Sequence, residues 1–144
     1  MTSSAALLAM RLDVPGVVAV VDDDEGIASA LRSWLQLMSV KVRTFDHGQS
    51  LLNALQASPG GIWTFRATDQ VLSTAILDLN LPGLSGFEVA RRLHAHAPKL
   101  NIVVITAASG ETMEMLGGIP PGISLVGKPF NLSELEVWLK PPYV

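Results

Sequence analysis

Five side chains with usable chemistry stand at the ends of apolar stretches of this 144-residue chain. Asp22 and Asp23 follow the run VVAVV, and Asp78 follows residues 74–77. Thr106 closes NIVVIT, and Lys128 follows ISLVG. Three carboxylates brought together resist joint ionisation. A divalent cation removes that problem. Magnesium prefers hard oxygen ligands and commonly binds one or two carboxylates together with a phosphate. A lysine adds a point charge for phosphoryl oxygens, and a threonine adds a hydroxyl donor. A carboxylate in such a pocket can act as a nucleophile and form an acyl phosphate. Phosphoryl transfer then asks chiefly for positioning and charge neutralisation. Taken singly, each residue has an ordinary explanation: a turn-forming aspartate, a strand-end hydroxyl, a solvated lysine. The reading rests on their convergence.

Convergence requires a parallel sheet. VVAVV is continuous and β-branched, as a strand buried on both faces would be. Ile27, Leu31, Trp34, Leu35 and Met38 recur at helical spacing, predicting a helix over residues 25–39 that Asp24 and Glu25 begin. Residues 40–45 (VKVRTF) alternate like an edge strand, and a short helix is expected over residues 50–57 with Leu51, Leu52 and Leu55 inward. SPGG should stop that helix. In residues 62–73, an insertion without clear period, Trp63 and Phe65 suggest packing against the body or a contact surface. A third strand spans residues 74–77. The next helix carries Phe87, Val89, Ala90 and Leu93 inward and ends before Pro98. NIVVIT is the fourth strand. A weak fourth helix over residues 111–116 is cut off by GGIPPG, and ISLVG is the fifth strand. A last helix begins near Asn131 or Ser133 with a capping box to Glu134 or Glu136, and holds Trp138 inward. His47, His94 and His96 show no ligand pattern and are expected at the surface. Strands alternating with helices imply right-handed crossovers, and ligands then bind beyond the carboxyl ends of the strands.

Bulk properties narrow the classes. Hydrophobic residues at 49% against 16% charged argue for a folded core rather than disorder. A formal charge of −3 offers no surface for nucleic acid. The absence of cysteine excludes disulfides and thiolate metal sites and fits a cytoplasmic location. No run is long and apolar enough to span a bilayer, and no signal peptide is expected. The mean hydropathy of +0.38 leaves room for an apolar interface.

The blocks VVDDDEGIASALRSWL, AILDLNLPGLSGFEVARRL, VVITAAS and LVGKPFNLSEL, in this order, resemble those of a two-component response-regulator receiver domain. The stretches around VVDDDE and FDHGQSLLNAL are similar in particular to the FixJ-like branch. The resemblance covers residues 17–140, leaving 1–16 as an N-terminal extension and 141–144 as a tail. It implies a single α/β domain: a doubly wound (βα)5 flavodoxin-like three-layer sandwich around a parallel five-stranded sheet in the order 2-1-3-4-5. It makes Asp78 the phosphoacceptor, Asp22 and Asp23 the acidic pair for Mg2+ or Mn2+, and the backbone carbonyl of Asn80 a further metal ligand. Thr106 becomes the switch hydroxyl and Lys128 the phosphoryl-binding lysine, joined to Pro129 by a cis peptide. Ala107 supplies the small residue beside the phosphate, and Pro82 and Gly86 shape the loop after Asp78. The implied partners are a histidine kinase or phosphotransfer protein and a downstream protein or second copy bound through the fourth helix, fifth strand and fifth helix. No direct nucleic-acid or membrane partner is implied.

Three features depart from the family pattern. Leu125 stands where an aromatic switch residue is usual, the segment before the third strand is long, and the fourth helix is broken. Ala108 cannot position an attacking water, which predicts slow self-dephosphorylation; that and self-phosphotransfer are the only reactions expected of the domain. No output domain is read in the sequence, so the expectation is a stand-alone receiver or a piece of a longer protein. Two other functions compete with signalling by phosphorylation. One is a receiver-like scaffold that binds without phosphate, favoured by Leu125 and the broken helix. The other is an aspartate-nucleophile phosphohydrolase, disfavoured because Asn80 stands where its general acid is expected.

Overall fold

The structure is a computed structural model and describes residues 16–107 and 122–128. β1 (Val17–Val21) is buried at all five positions, as its unbroken apolar run requires. It pairs in parallel with β2 (Lys41–Phe45) on one side and β5 (Leu72–Asp78) on the other. β6 (Asn101–Thr106) and β7 (Ile123–Gly127) continue the parallel sheet beyond β5. Between β2 and β5 in the chain lie β3 (Leu55–Ser58) and β4 (Ile62–Phe65), which form a separate antiparallel hairpin. The sheet order β2-β1-β5-β6-β7 is therefore the expected 2-1-3-4-5 once the hairpin strands are left out of the count.

Alternate residues of the strands feed two cores. Val18, Val20, Ile76, Val103 and Ile105 pack against Leu31 and Leu35 of α1 (Glu25–Leu37). Val17, Ala19, Val21 and Leu77 pack on the other face against Leu51 of α2 (Gly48–Ala54) and Phe87, Val89 and Leu93 of α3 (Gly86–His96). Each buried Val, Leu, Ile or Phe among them stabilises the fold by about 1.5–3 kcal/mol relative to exposure. Asp24 caps α1, its carboxylate accepting from the N–H groups of Gly26 and Ile27 at 2.9 and 3.2 Å. Ser85 caps α3 through the N–H of Glu88 at 3.2 Å. No helix among the described residues is long and apolar enough to cross a membrane.

The structure corrects four expectations in and around the insertion. The helix predicted over residues 50–57 ends at Ala54, and the chain extends straight into β3. Leu55 is buried as expected, but opposite Phe65 in a strand pair rather than on a helix. SPGG is a hairpin turn and not a helix stop, with Gly60 and Gly61 at φ 90° and 71°, a region that favours glycine. The third strand runs over residues 72–78 rather than 74–77. His96 and His94 are half-buried rather than surface residues. His96 Nε2 donates to two carbonyls at the mouth of the hairpin, Ser58 at 3.0 Å and Ile62 at 2.8 Å. The His94 ring lies against Gly122, with its Nδ1 buried and without a hydrogen-bond partner among the described residues.

Trp63 packs against the body. Its indole N–H donates to the Leu93 carbonyl at 2.8 Å, and its ring meets His96 edge-on at 4.9 Å. From the other side, the Arg43 guanidinium stacks between Phe45 and Phe65, 5.2 and 4.8 Å from the ring centres. The hairpin is thus fastened to both β2 and α3. The fourth and last helices, the N-terminal extension, the tail, Ala108, Trp138 and the Lys128–Pro129 peptide lie outside the described residues.

Candidate functional site

The sheet reverses direction of growth at β1, which has β2 on one side and β5 on the other. Such a switch point opens a crevice at the carboxyl ends of the strands. Asp22 follows β1 there and Asp78 ends β5. Carboxylate oxygens of Asp22, Asp23 and Asp78 all lie within 4.8 Å of one another. Asp22 and Asp78 are buried, at 4% and 6% relative exposure, while Asp23 faces solvent. Two elements seat Asp22. Its N–H donates to the Phe45 carbonyl at 3.1 Å, and its Oδ1 accepts from the N–H of Asp24 at 2.9 Å. Asp78 Oδ1 accepts from the N–H of Asn80 at 3.3 Å.

Lys128 supplies the cation. Its Nζ lies 3.4 Å from Asp78 Oδ1 and, more loosely, 4.0 Å from Asp22 Oδ2. Its backbone N–H donates to the Thr106 carbonyl at 2.7 Å, which ties the end of β7 to the end of β6. Thr106 is buried there opposite Gly127. The residues expected at the strand ends therefore lie along one rim, where the contact Asn80 makes is from its N–H to Asp78.

Among the described residues one ammonium stands beside this three-carboxylate cluster, so the negative charge there is incompletely balanced. Burial pushes the Asp22 carboxyl above the ordinary carboxylate range, and repulsion from Asp78 and Asp23 adds to the rise. The Asp24 N–H and Lys128 pull the other way without cancelling it. The donor set is all oxygen, buried on one side and open on the other. That fits a hard divalent cation such as Mg2+ or Mn2+, which keeps water ligands while binding carboxylates.

Gly86, expected from the resemblance to shape the loop after Asp78, stands at the first position of α3. Its N–H donates to the Leu79 carbonyl at 2.9 Å, and its Cα lies under the carbonyl of Asp78. The available signal was a glycine at the first position of a helix, where a side chain is ordinarily welcome.

Comparison with known proteins gives a consistent picture. Residues 18–140 match the response regulator receiver domain family. The chain is 35% identical over 118 residues to the transcriptional regulatory protein CreB of Escherichia coli, covering 82% of this chain and 46% of CreB. It is 32% identical over 126 residues to the phosphate regulon transcriptional regulatory protein PhoB of Rhizobium meliloti, covering 85% of this chain and 50% of that one. It spans about half the length of the curated relatives it matches. The structure resembles that of the response regulator DrrB of Thermotoga maritima, with a TM-score of 0.65 at 28% identity over 86% of this chain and 50% of DrrB. The BeF3-activated DrrB receiver domain gives 0.63 at 26% identity, over 87% of this chain and 97% of that one. With this family match over most of its length and the acidic crevice at its sheet's switch point, the chain belongs to the response regulator receiver domains of two-component systems.

Proposed function

We propose that Asp78 is the phosphoacceptor, taking a phosphoryl group from a histidine kinase or a phosphotransfer protein. The observation that carries this is the placement of the Asp78 carboxylate 3.4 Å from Lys128 Nζ and within one 4.8 Å cluster with Asp22 and Asp23. An Asp78 carboxylate oxygen forms a bond to phosphorus as the bond from phosphorus to the donor nitrogen breaks. The nitrogen keeps that electron pair and takes up a proton. Lys128 holds a phosphoryl oxygen and balances the charge that the transfer brings in. Thr106 donates its hydroxyl to another. Asp22, Asp23, Asp78 and the Asn80 carbonyl would hold Mg2+ or Mn2+, which neutralises charge on the transferring group.

The domain, taken as residues 17–140, works as a signalling part, with transfer to itself and slow loss of the phosphate as its only chemistry. The relatives are named as transcriptional regulators, and on its net charge of −3 this stretch is assigned signal input rather than DNA contact. Output passes to a downstream protein or a second copy through the face that includes β7, in the cytoplasm. Leu125 on β7 is half-buried against the core, so the aromatic switch of relatives is replaced by aliphatic repacking.

The test is intact mass after incubation with Mg2+ and acetyl phosphate. Wild type should gain one phosphoryl group, and Asp78→Asn should gain none. A wild-type protein that stays unlabelled, where a known receiver is labelled, would leave the scaffold reading in place. Steady release of phosphate from unrelated esters would point to the hydrolase.

A further inference from the structure

We propose that Gly86 is a positioning residue for phosphoryl transfer: its bare Cα is the seat on which the Asp78–Leu79 peptide rests. The proposal depends on Asp78 being the phosphoacceptor. A Cβ at Gly86 would stand 2.3 Å from the Asp78 carbonyl oxygen and 2.9 Å from both the Asp78 carbonyl carbon and the Leu79 Cα. Ordinary contact begins at 3.4 Å, so the peptide would need to shift by about 1 Å. The atoms met are backbone, and no rotamer change can relieve the clash.

That peptide does not move by itself. The Leu79 N–H donates to the Ile105 carbonyl at 2.8 Å, and the Leu79 carbonyl accepts from Gly86 N–H at 2.9 Å. The Asn80 N–H holds Asp78 Oδ1. Displacing the peptide therefore carries the Asp78 carboxylate away from its present distances to Asp22, Asp23 and Lys128. Misplacement of about 1 Å at a reacting group can cost up to about a hundredfold in rate. The first turn of α3 thus sets the depth of the nucleophile in the crevice, and glycine is the residue that permits that depth.

Two other helical glycines separate this role from crowding in general. Gly48 is as crowded, since a Cβ there would lie 2.3 Å from Val89 Cγ2, but the atom it meets is a side-chain methyl and not the backbone of the phosphoacceptor strand. A Cβ on Gly26 meets only Asp24 Oδ1, at 3.2 Å. The experiment compares wild type, Gly86→Ala, Gly48→Ala and Gly26→Ala. Each is measured for thermal midpoint, for Mg2+ affinity by calorimetry, and for the rate of labelling by acetyl phosphate at saturating Mg2+.

Gly86→Ala should lose about tenfold or more in both Mg2+ affinity and labelling rate. Gly48→Ala should lose stability while keeping both, and Gly26→Ala should keep all three. Folded Gly86→Ala with wild-type affinity and rate overturns the proposal. Equal losses in Gly48→Ala also overturn it, because crowding anywhere in the layer would then suffice. If Gly86→Ala is unfolded in buffer, the measurements move to trimethylamine N-oxide, which favours the compact state. Failure to fold there, with Gly48→Ala folded, overturns the proposal by making Gly86 a residue of the fold alone. An unlabelled wild type sinks the phosphoacceptor reading instead, and the Mg2+ arm then decides by itself whether Gly86 sets the carboxylate cluster.

Discussion

The carboxyl rim of the sheet and the β3–β4 hairpin handle polar groups in opposite ways. At the rim, Asp22 and Asp78 share one lysine beside a third carboxylate, Asp23, and Asp22 holds its proton more tightly than an ordinary aspartate. At the hairpin, donors and acceptors are matched. Trp63 bonds Leu93, His96 bonds Ser58 and Ile62, and the Ser58 and Thr64 hydroxyls bond each other at 2.7 Å. A matched polar cluster favours one arrangement of its parts. An unmatched one stores a cost that a ligand can remove. The hairpin is therefore read as a fastening and the rim as a binding site.

The sharpest break in this contrast is Trp63→Ala. It removes the ring from the face of α3 and leaves the Leu93 carbonyl without its indole donor, and it should cost about 3 kcal/mol by chemical denaturation. Mg2+ affinity of the folded fraction should stay as in wild type. A large loss of affinity would mean that the hairpin takes part in the site.

Asp22→Asn should act in the opposite direction. With no divalent cation present it should stabilise the fold at neutral pH, because a buried charge is removed while an Oδ1 can still accept from Asp24. The native state holds the Asp22 proton more tightly than the unfolded chain does. As pH rises from below the ordinary carboxylate range, the unfolded chain ionises first and the wild type loses stability. Below that range the two proteins should melt together, and the gap should open as pH rises through the folded Asp22 value. Thermal melts across pH in a chelator check this, and a gap that closes with rising pH would refute it. Mg2+ should raise the melting point of wild type more than that of the variant.

The smallest effect belongs to Asp24→Ala. Losing the cap of α1 should cost about 1 kcal/mol, with Mg2+ affinity and labelling nearly unchanged. Although Asp24 adjoins Asp22 and Asp23, it belongs with the matched groups, since its carboxylate is used on Gly26 and Ile27. An affinity loss equal to that of Asp23→Ala would merge it with the rim.

The rim was more legible than the hairpin for a physical reason. VVAVV permits little besides a doubly buried strand, and a charged residue directly after such a run must sit at the sheet's edge. The chemistry at 22, 23, 78, 106 and 128 then follows from topology. Leu51 and Leu55 fit one helix face, yet Leu55 is equally well buried opposite Phe65. Spacing alone could not choose between those outcomes, so a hairpin was read as a helix followed by an unclassified insertion. His96 was misplaced for the same reason. Its half-burial comes from the hairpin folded over it, not from its own helix. Gly86 is legible only with the Asp78 carbonyl above it.

The order of strands also fixes when the site exists during synthesis. Asp22 leaves the ribosome early and Asp78 midway, but Lys128 arrives with the last strand of the sheet, on the far side of β6 from both. A nascent chain that has paired β1 with β5 already gathers three acids and still lacks its lysine. On the reading proposed above, such a chain has the acids for its metal ion before it has the lysine for the phosphoryl group.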